Sequence, residues 1–329
     1  MTLAITKEHL NKKRFGITGA AGFIAPRHLK AIKDNQCELV AAVDPHDCVG
    51  IIDSYFPESA FFVEFERFDR YIDNLRRKGR GVDIISICSP NYLHDAHCRT
   101  ALRNGSDAIC EKPLVLNVRN LDMLRELENE TGKKIHSILQ LRHHPAIQAF
   151  KKRIWNNSAS SKLDIDLTYI TSRGRWYDIS WKGDPAKSGG VVTNIGIHFF
   201  DMLIDIFGKV QQSTVHVLEP RRAGGYIELE KARVRWFLSI NSNDIPECVL
   251  SKGQRTYRSI VVNGEELEFS DGFTDLHTVS YKHILEGTGF GLDDAAPSIE
   301  LVSSIRNATP VGLHGDYHEF FDGNTSVRL

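Results

Sequence analysis

Near-continuous apolar runs alternate with helix-length stretches through the first 140 residues of this 329-residue chain. Arg14–Thr18, Glu38–Asp44, Val82–Cys88, Asp107–Cys110 and Lys134–Leu139 read as strands, with Ile24–Asn35, Phe65–Lys78, Tyr92–Asn104 and Asn117–Thr131 as helices among them. A strand that is apolar at almost every position must be covered on both faces. Strand-helix alternation of this length supplies the cover, and it predicts a doubly wound parallel sheet. Gly79, Gly105 and Gly132 punctuate the helices.

The rhythm changes after residue 140. Pro145–Asn156 reads as a helix and Asn156–Ser161 as a turn-rich break. Leu163–Tyr169 alternates with period two, as a half-exposed antiparallel strand does, and Ala232, Val234, Trp236 and Leu238 repeat the pattern. Asn263-Gly264 within Ile260–Phe269 is a two-residue hairpin signal, and Ser298–Ala308 reads as a late helix. The expected architecture is an α/β chain of two domains. Residues 1–140 hold the parallel sheet, and residues 141–329 form an α+β domain with a mostly antiparallel open sheet.

Charge and cysteine usage exclude several function classes. Lys plus Arg number 41 against 42 Asp plus Glu, which leaves no basic footprint for nucleic acid. No uninterrupted apolar run approaches a membrane span, and the polar stretch Met1–Lys13 lacks the core of a signal peptide. Six cysteines without a C-x-x-C pair fit a reducing cytoplasm and neither a disulfide framework nor a structural zinc site, so no metal is expected.

Four motifs carry chemistry. Gly19, Ala20, Ala21, Gly22, Phe23 and Ile24 follow the first strand and open a helix, where backbone can approach a pyrophosphate. Asp44 ends the second strand, where an acid can bond ribose hydroxyls; with no arginine directly following, NAD is favoured over NADP. Ser89, Pro90, Asn91 and His94 lie just past the Val82–Cys88 strand, at the strand ends where such folds bind ligands. Glu111-Lys112-Pro113 would hold an ammonium at the next strand end, suited to stabilising negative charge on an oxygen. In Ser188–Asp201, a helix would place Asn194, His198 and Asp201 along one side, downstream of glycines that let a ligand approach. Each motif alone also has a plain reading as a helix cap, a surface turn or a buried histidine.

Taken together, Gly19–Ala25 with Asp44, Pro90-Asn91 with His94, Glu111-Lys112-Pro113 and Asn194-x-Gly196-x-His198-x-x-Asp201 resemble the Gfo/Idh/MocA oxidoreductase family. The resemblance covers roughly the first 210 residues. Gly19–His28, Gln140–Pro145 and Ser180–Leu203 further resemble the WlbA/WbpB group within that family. The resemblance implies a Rossmann domain with NAD, then a substrate domain whose open sheet makes a homodimer or homotetramer. It implies oxidation of the 3-hydroxyl of UDP-N-acetylglucosaminuronic acid in O-antigen and lipopolysaccharide sugar synthesis, with NADH recycled by 2-oxoglutarate in some members.

Under that resemblance Lys112 and His198 carry the proton, with His198 as the preferred base. Asn194, where many members have aspartate, positions the sugar; Trp181, Ser188 and Gly189 fall in the stretch that most resembles UDP-sugar enzymes. A substrate with several negative charges on a chain of near-zero net charge calls for a local basic cluster: Arg142, Arg173, Arg175, Lys182 and Lys187. The rivals are a dehydrogenase of another sugar or inositol, and a regulator that senses a nucleotide without catalysis.

Overall fold

A computed structural model describes residues 12–156, 161–267 and 275–322. In chain order the strands are β1 (Arg14–Thr18), β2 (Glu38–Val43), β3 (Ala60–Phe62), β4 (Ile84–Ile87), β5 (Asp107–Cys110), β6 (Ile135–Ser137), β7 (Leu163–Thr171), β8 (Val210–Leu218), β9 (Arg222–Leu229), β10 (Ala232–Ser239), β11 (Thr256–Val262) and β12 (Glu265–Glu266). The helices are α1 (Ala25–Asp34), α2 (Val49–Tyr55), α3 (Phe65–Arg77), α4 (His94–Arg103), α5 (Arg119–Thr131), α6 (Pro145–Asn156), α7 (Arg175–Ile179), α8 (Pro185–Ser188), α9 (Ile197–Phe207), α10 (Glu247–Leu250), α11 (Leu276–Leu285) and α12 (Leu292–Asn307).

The chain divides into two compact units. One takes the chain up to Val115, then Arg119–Gln140, and then the described part of Thr274–Ala295; the other takes Leu116–Val118 and the rest. The first unit is a six-stranded sheet in the order β3-β2-β1-β4-β5-β6, parallel throughout. β1 and β4 lie at its centre, which is why their residues are almost all buried. Phe15, Ile17, Leu29, Ile32, Ile84 and Ile109 belong to one core cluster that also takes in Tyr281 and Ile284 of α11. Each fully buried side chain of this size contributes roughly 1.5–3 kcal/mol. α11 therefore belongs to the first unit although it follows α6–α10 in sequence.

The second unit is a six-stranded sheet in the order β12-β11-β7-β10-β9-β8. Its pairings are antiparallel except that β7 runs parallel to β10. The antiparallel assignment of Leu163–Tyr169 thus holds on one edge only, because period-two alternation reports a covered face and carries nothing about strand direction. The hairpin at Asn263-Gly264 forms as expected, with φ of 50° and 88° at the two residues. The late helix begins at Leu292 and not at Ser298, since Pro297 is accommodated inside it. β3 adds a strand that its three residues, AFF, are too short to announce. The expectations for Met1–Asn11, Asn157–Ser160 and Phe269 fall outside the described residues.

One apolar stretch departs from the sequence expectation. Pro185–Phe207 is long and apolar enough to cross a membrane, yet most of it is buried inside the protein. Its apolarity is that of a core helix.

Candidate functional site

The half on the parallel sheet starts at the turn from β1 into α1. Gly19 has φ of 77°, and a Cβ there would sit 2.5 Å from the backbone of Cys88 and Ser89. Only glycine satisfies both demands. The amides of Gly19 and Ala20 donate to the Val43 carbonyl at 2.9 and 3.3 Å, and that of Ala21 donates to Asp44 Oδ2 at 3.0 Å. Asp44 Oδ1 also accepts from the His46 amide, so the buried carboxylate is oriented by backbone on both oxygens. No side chain caps the start of α1; Pro26 has no N–H, and the Ala25 and Arg27 amides donate to the Gly22 and Ile24 carbonyls, so the helix start offers an anion its dipole. Phe23, 91% exposed, stands out from the loop. This geometry fits a dinucleotide: a close backbone approach, an uncapped helix start and an acid at the end of the neighbouring strand.

The ends of β4 and β5 supply the remainder of this half. His94 is buried, with Nδ1 2.7 Å from the Pro113 carbonyl and Nε2 2.8 Å from that of Ser89. Burial pulls its pKa down against the pull of those two carbonyls. The ring ties the loop after β4 to the loop after β5. Ser89 and Asn91 are buried in the same loop, and Ser89 Oγ has no hydrogen-bond partner there. Lys112, half-buried, precedes Pro113 through a cis peptide bond. The Glu111 carboxylate points inward, is 6% exposed, and accepts from His28, His277 and the Lys112 amide. Burial alone would raise its pKa, but the hydrogen bonds from His277 and His28 hold it well below the ordinary carboxylate value.

The half on the mixed sheet is built around α9. Val192–Gly196 forms a π turn that runs directly into α9. Along 191–203 every residue is buried except Asn194 and His198. The core therefore claims the other positions of the turn and leaves these two, four apart, on one accessible face. Asn194 Nδ2 donates to the Tyr177 hydroxyl at 3.0 Å. Asp201 is instead buried, and Arg142 grips it with two hydrogen bonds of 3.0 and 2.7 Å. Ser188 is fully buried; its hydroxyl donates to the Asp184 carbonyl and accepts from the Gly190 amide. Gly189 closes α8 with φ of 80°, and a Cβ there would strike Thr193 at 2.6 Å.

The five basic candidates separate clearly. Arg142 faces Asp201, and Lys187 lies 3.8 Å from Asp184. Arg175 is exposed on α7. Lys182 is half-buried, with its ammonium 4.5 Å from the Trp181 ring centroid and 5.5 Å from that of Trp176. Burial and then the neighbouring charge of Arg173 lower its pKa. Arg173 Nε is buried without a partner. Neither cation has a carboxylate partner among the described residues, and the Arg173 charge is felt at Lys182, which lies against two indole rings.

Sequence reasoning did not find His28, His277, Tyr281 or the partner of Arg142. Glu111 and His277 are 166 positions apart, and Arg142 and Asp201 are 59 apart. No local pattern could have joined them.

Two family models match the chain. Residues 13–138 match the oxidoreductase family's NAD-binding Rossmann fold, and residues 162–322 match its C-terminal alpha/beta domain. The chain is 51% identical to the WlbA (WbpB) dehydrogenase from Thermus thermophilus solved with NAD and alpha-ketoglutarate, at a TM-score of 0.90, covering 94% of this chain and 99% of that one. It is 50% identical to the same enzyme solved with NAD and UDP-GlcNAcA, with the same TM-score of 0.90 and coverage of 94% and 99%. Among curated relatives, glucose-6-phosphate 3-dehydrogenase of Bacillus subtilis is 24% identical over 204 residues, 59% of this chain; the match spans about half, 54%, of that relative's length.

Proposed function

The chain belongs to the Gfo/Idh/MocA oxidoreductase family, and on that premise we propose that it uses NAD to oxidise the 3-hydroxyl of UDP-N-acetylglucosaminuronic acid. The observation that carries the reading is 50% identity over 99% of a dehydrogenase solved with NAD and UDP-GlcNAcA. Arg173 and the neighbouring Lys182, which lies against Trp176 and Trp181, support an anionic substrate from this chain's own residues.

Bound NAD supplies the acceptor for a hydride leaving carbon three. The glycine-rich turn Gly19–Ile24, the start of α1 and Asp44 would hold it, with Ser89, Pro90, Asn91 and His94 shaping the neighbouring loop. His198 takes the hydroxyl proton, and Lys112 orients that hydroxyl and stabilises the charge that forms on its oxygen. The two roles can be exchanged. Asn194 positions the sugar ring from the face it shares with His198. Lys182 takes the uronate and Arg173 the uronate or the diphosphate, where a charged hydrogen bond is worth roughly 1.5–3 kcal/mol.

The reading extends to several properties supported by resemblance. 2-Oxoglutarate would serve to recycle NADH, in line with the alpha-ketoglutarate bound to the Thermus thermophilus enzyme. The 3-keto product feeds an amino-group transfer in O-antigen and lipopolysaccharide sugar synthesis. The protein works in the cytoplasm, where its six free cysteines suit a reducing environment, as a homodimer or homotetramer. Residues 1–140, joined by α11, serve the cofactor, and the rest of 141–329 serves the substrate and assembly.

The test is direct. Purified protein is incubated with NAD, 2-oxoglutarate and a panel of nucleotide and free sugars, and nicotinamide reduction and 2-hydroxyglutarate are followed. Turnover with the uronate, and turnover poorer by about tenfold or more with UDP-N-acetylglucosamine, is expected. Equal use of both sinks the uronate assignment; no turnover with any sugar sinks the dehydrogenase reading and leaves a nucleotide-sensing regulator.

A further inference from the structure

Beneath the strand end that carries Lys112 lies a closed set of polar side chains that the proposed reaction does not use. Glu111 Oε1 is 2.9 Å from Nε2 of both His28 and His277. Its other oxygen, Oε2, accepts the Lys112 main-chain amide at 3.2 Å. His28 Nδ1 is 2.7 Å from the Tyr281 hydroxyl, which is 2.6 Å from Ser86 Oγ. All of these side chains are buried, and His28 and Tyr281 are fully so. They come from α1, β4, β5 and α11, elements of one unit.

The chemistry of the donors fixes a direction. An ionised carboxylate only accepts, so both histidines present N–H at Nε2. A neutral His28 then has a bare Nδ1, which must accept from Tyr281. The Tyr281 oxygen in turn accepts from Ser86. Every hydrogen in the chain points toward Glu111, and no donor faces another donor.

We propose that Glu111 is a positioning residue: a one-way donor chain, Ser86 to Tyr281 to His28 and separately His277, holds its carboxylate so that Oε2 fixes the main chain at Lys112 and thereby aims the Lys112 ammonium. The proposal rests on the reading of Lys112 as a group that handles the substrate hydroxyl. Cys88, Cys110 and His94 also lie within electrostatic reach of Glu111. None of them hydrogen-bonds to it, so the two histidines and one amide carry the orientation.

The same three side chains, His28, Glu111 and His277, have donor atoms close enough to hold a metal ion. The Tyr281 and Ser86 hydroxyls, the Lys112 amide and the 2.9 Å separations are all accounted for by hydrogen bonds alone. Metal binding is therefore an outcome that would overturn the proposal.

Glu111→Gln is the primary variant. Its amide oxygen can still accept from the two histidines, but its NH2 then faces the Lys112 amide, donor against donor. kcat should fall about ten- to a hundredfold, with KM for NAD and for the sugar within about threefold of wild type. His277→Leu should fall likewise, and His277→Gln, which keeps an N–H at similar reach, should recover most of the loss. A structural role alone would lower the melting temperature of these variants without separating kcat from KM. Unchanged kcat in Glu111→Gln, or no difference between His277→Leu and His277→Gln, overturns the proposal.

A second measurement needs neither variant nor substrate. Ring nitrogen NMR of the unmodified protein should place His28 in the neutral form protonated at Nε2, and should find a proton on Nε2 of His277. A proton on Nδ1 of His28, or one equivalent of Co2+ bound with both rings shifted, overturns it. If the wild type turns over no sugar while the tautomers are as expected, the functional reading has failed and the donor chain has not.

Discussion

Arg142 can be tested as a support for α9 or as a ligand for the substrate, and the two roles predict opposite signatures. Its guanidinium makes bonds of 3.0 and 2.7 Å to Asp201, with side-chain exposures of 9% and 4%. A second carboxylate, Asp205, lies 3.7 Å away and is itself held by Lys151 at 2.6 Å. Truncating one member of a buried pair strands the other charge, at about 3–5 kcal/mol. The perturbation is Arg142→Leu, with Asp201→Leu and the double variant completing a cycle. Each single variant should lower urea stability by roughly 3–5 kcal/mol, and the double should cost much less than their sum, because no charge is then left unpaired. KM for the UDP-sugar in Arg142→Leu should stay within about threefold, measured below the unfolding transition. A loss under about 1 kcal/mol together with a KM raised tenfold or more would refute the reasoning and return Arg142 to the substrate.

Gly19→Ala should destabilise the first unit by about 1–3 kcal/mol from backbone strain alone, with NAD affinity lost as well, read by thermal melts with and without NAD. Asp44→Ala should erase a preference for NAD over NADP, measured as the ratio of dissociation constants; equal affinities in the wild type would remove the basis for the role of Asp44. Lys112→Met and His198→Asn should each lose about a hundred- to ten-thousandfold in kcat with the fold intact by circular dichroism, and near-normal turnover in both would remove them from the chemistry. Lys182→Met should raise KM for the uronate about tenfold or more and leave UDP-N-acetylglucosamine little changed. Because burial and Arg173 lower the Lys182 pKa, its charge is fully present below that lowered value, and uronate affinity should weaken at a less alkaline pH than an ordinary lysine would dictate.

The parallel sheet was legible because doubly covered strands must be apolar at almost every position, and β1, β2, β4 and β5 are apolar over most of their length. The hairpin at Asn263-Gly264 was legible because two successive positive φ values demand that pair. β3 was not, since three residues carry no period. The β7–β10 pairing was not, since alternation is blind to direction. The site divides the same way. Gly19, Asp44, Lys112, Asn194 and His198 stand out because each sits at a fixed offset from a strand end or a glycine. What Arg142 and Glu111 do depends on partners 59 and 166 positions distant. Residue type alone cannot tell a ligand for the substrate from a ligand for the fold, and Arg142 and Arg173 have the same chemistry with opposite surroundings.

The membership of α11 in the first unit bears on how this chain leaves the ribosome. Glu111 and its strand emerge with His28 already made, but His277 follows 166 residues later. At about 5–20 residues per second, that is an interval of roughly 8–33 seconds. Through it the nascent parallel sheet lacks Tyr281 and Ile284 from its core cluster and holds a carboxylate short of one donor. Nascent chains stalled just before residue 275 should therefore be cut by protease within the first unit, and chains stalled with α11 outside the tunnel should resist. The arrangement makes completion of the cofactor fold wait for the whole second sheet.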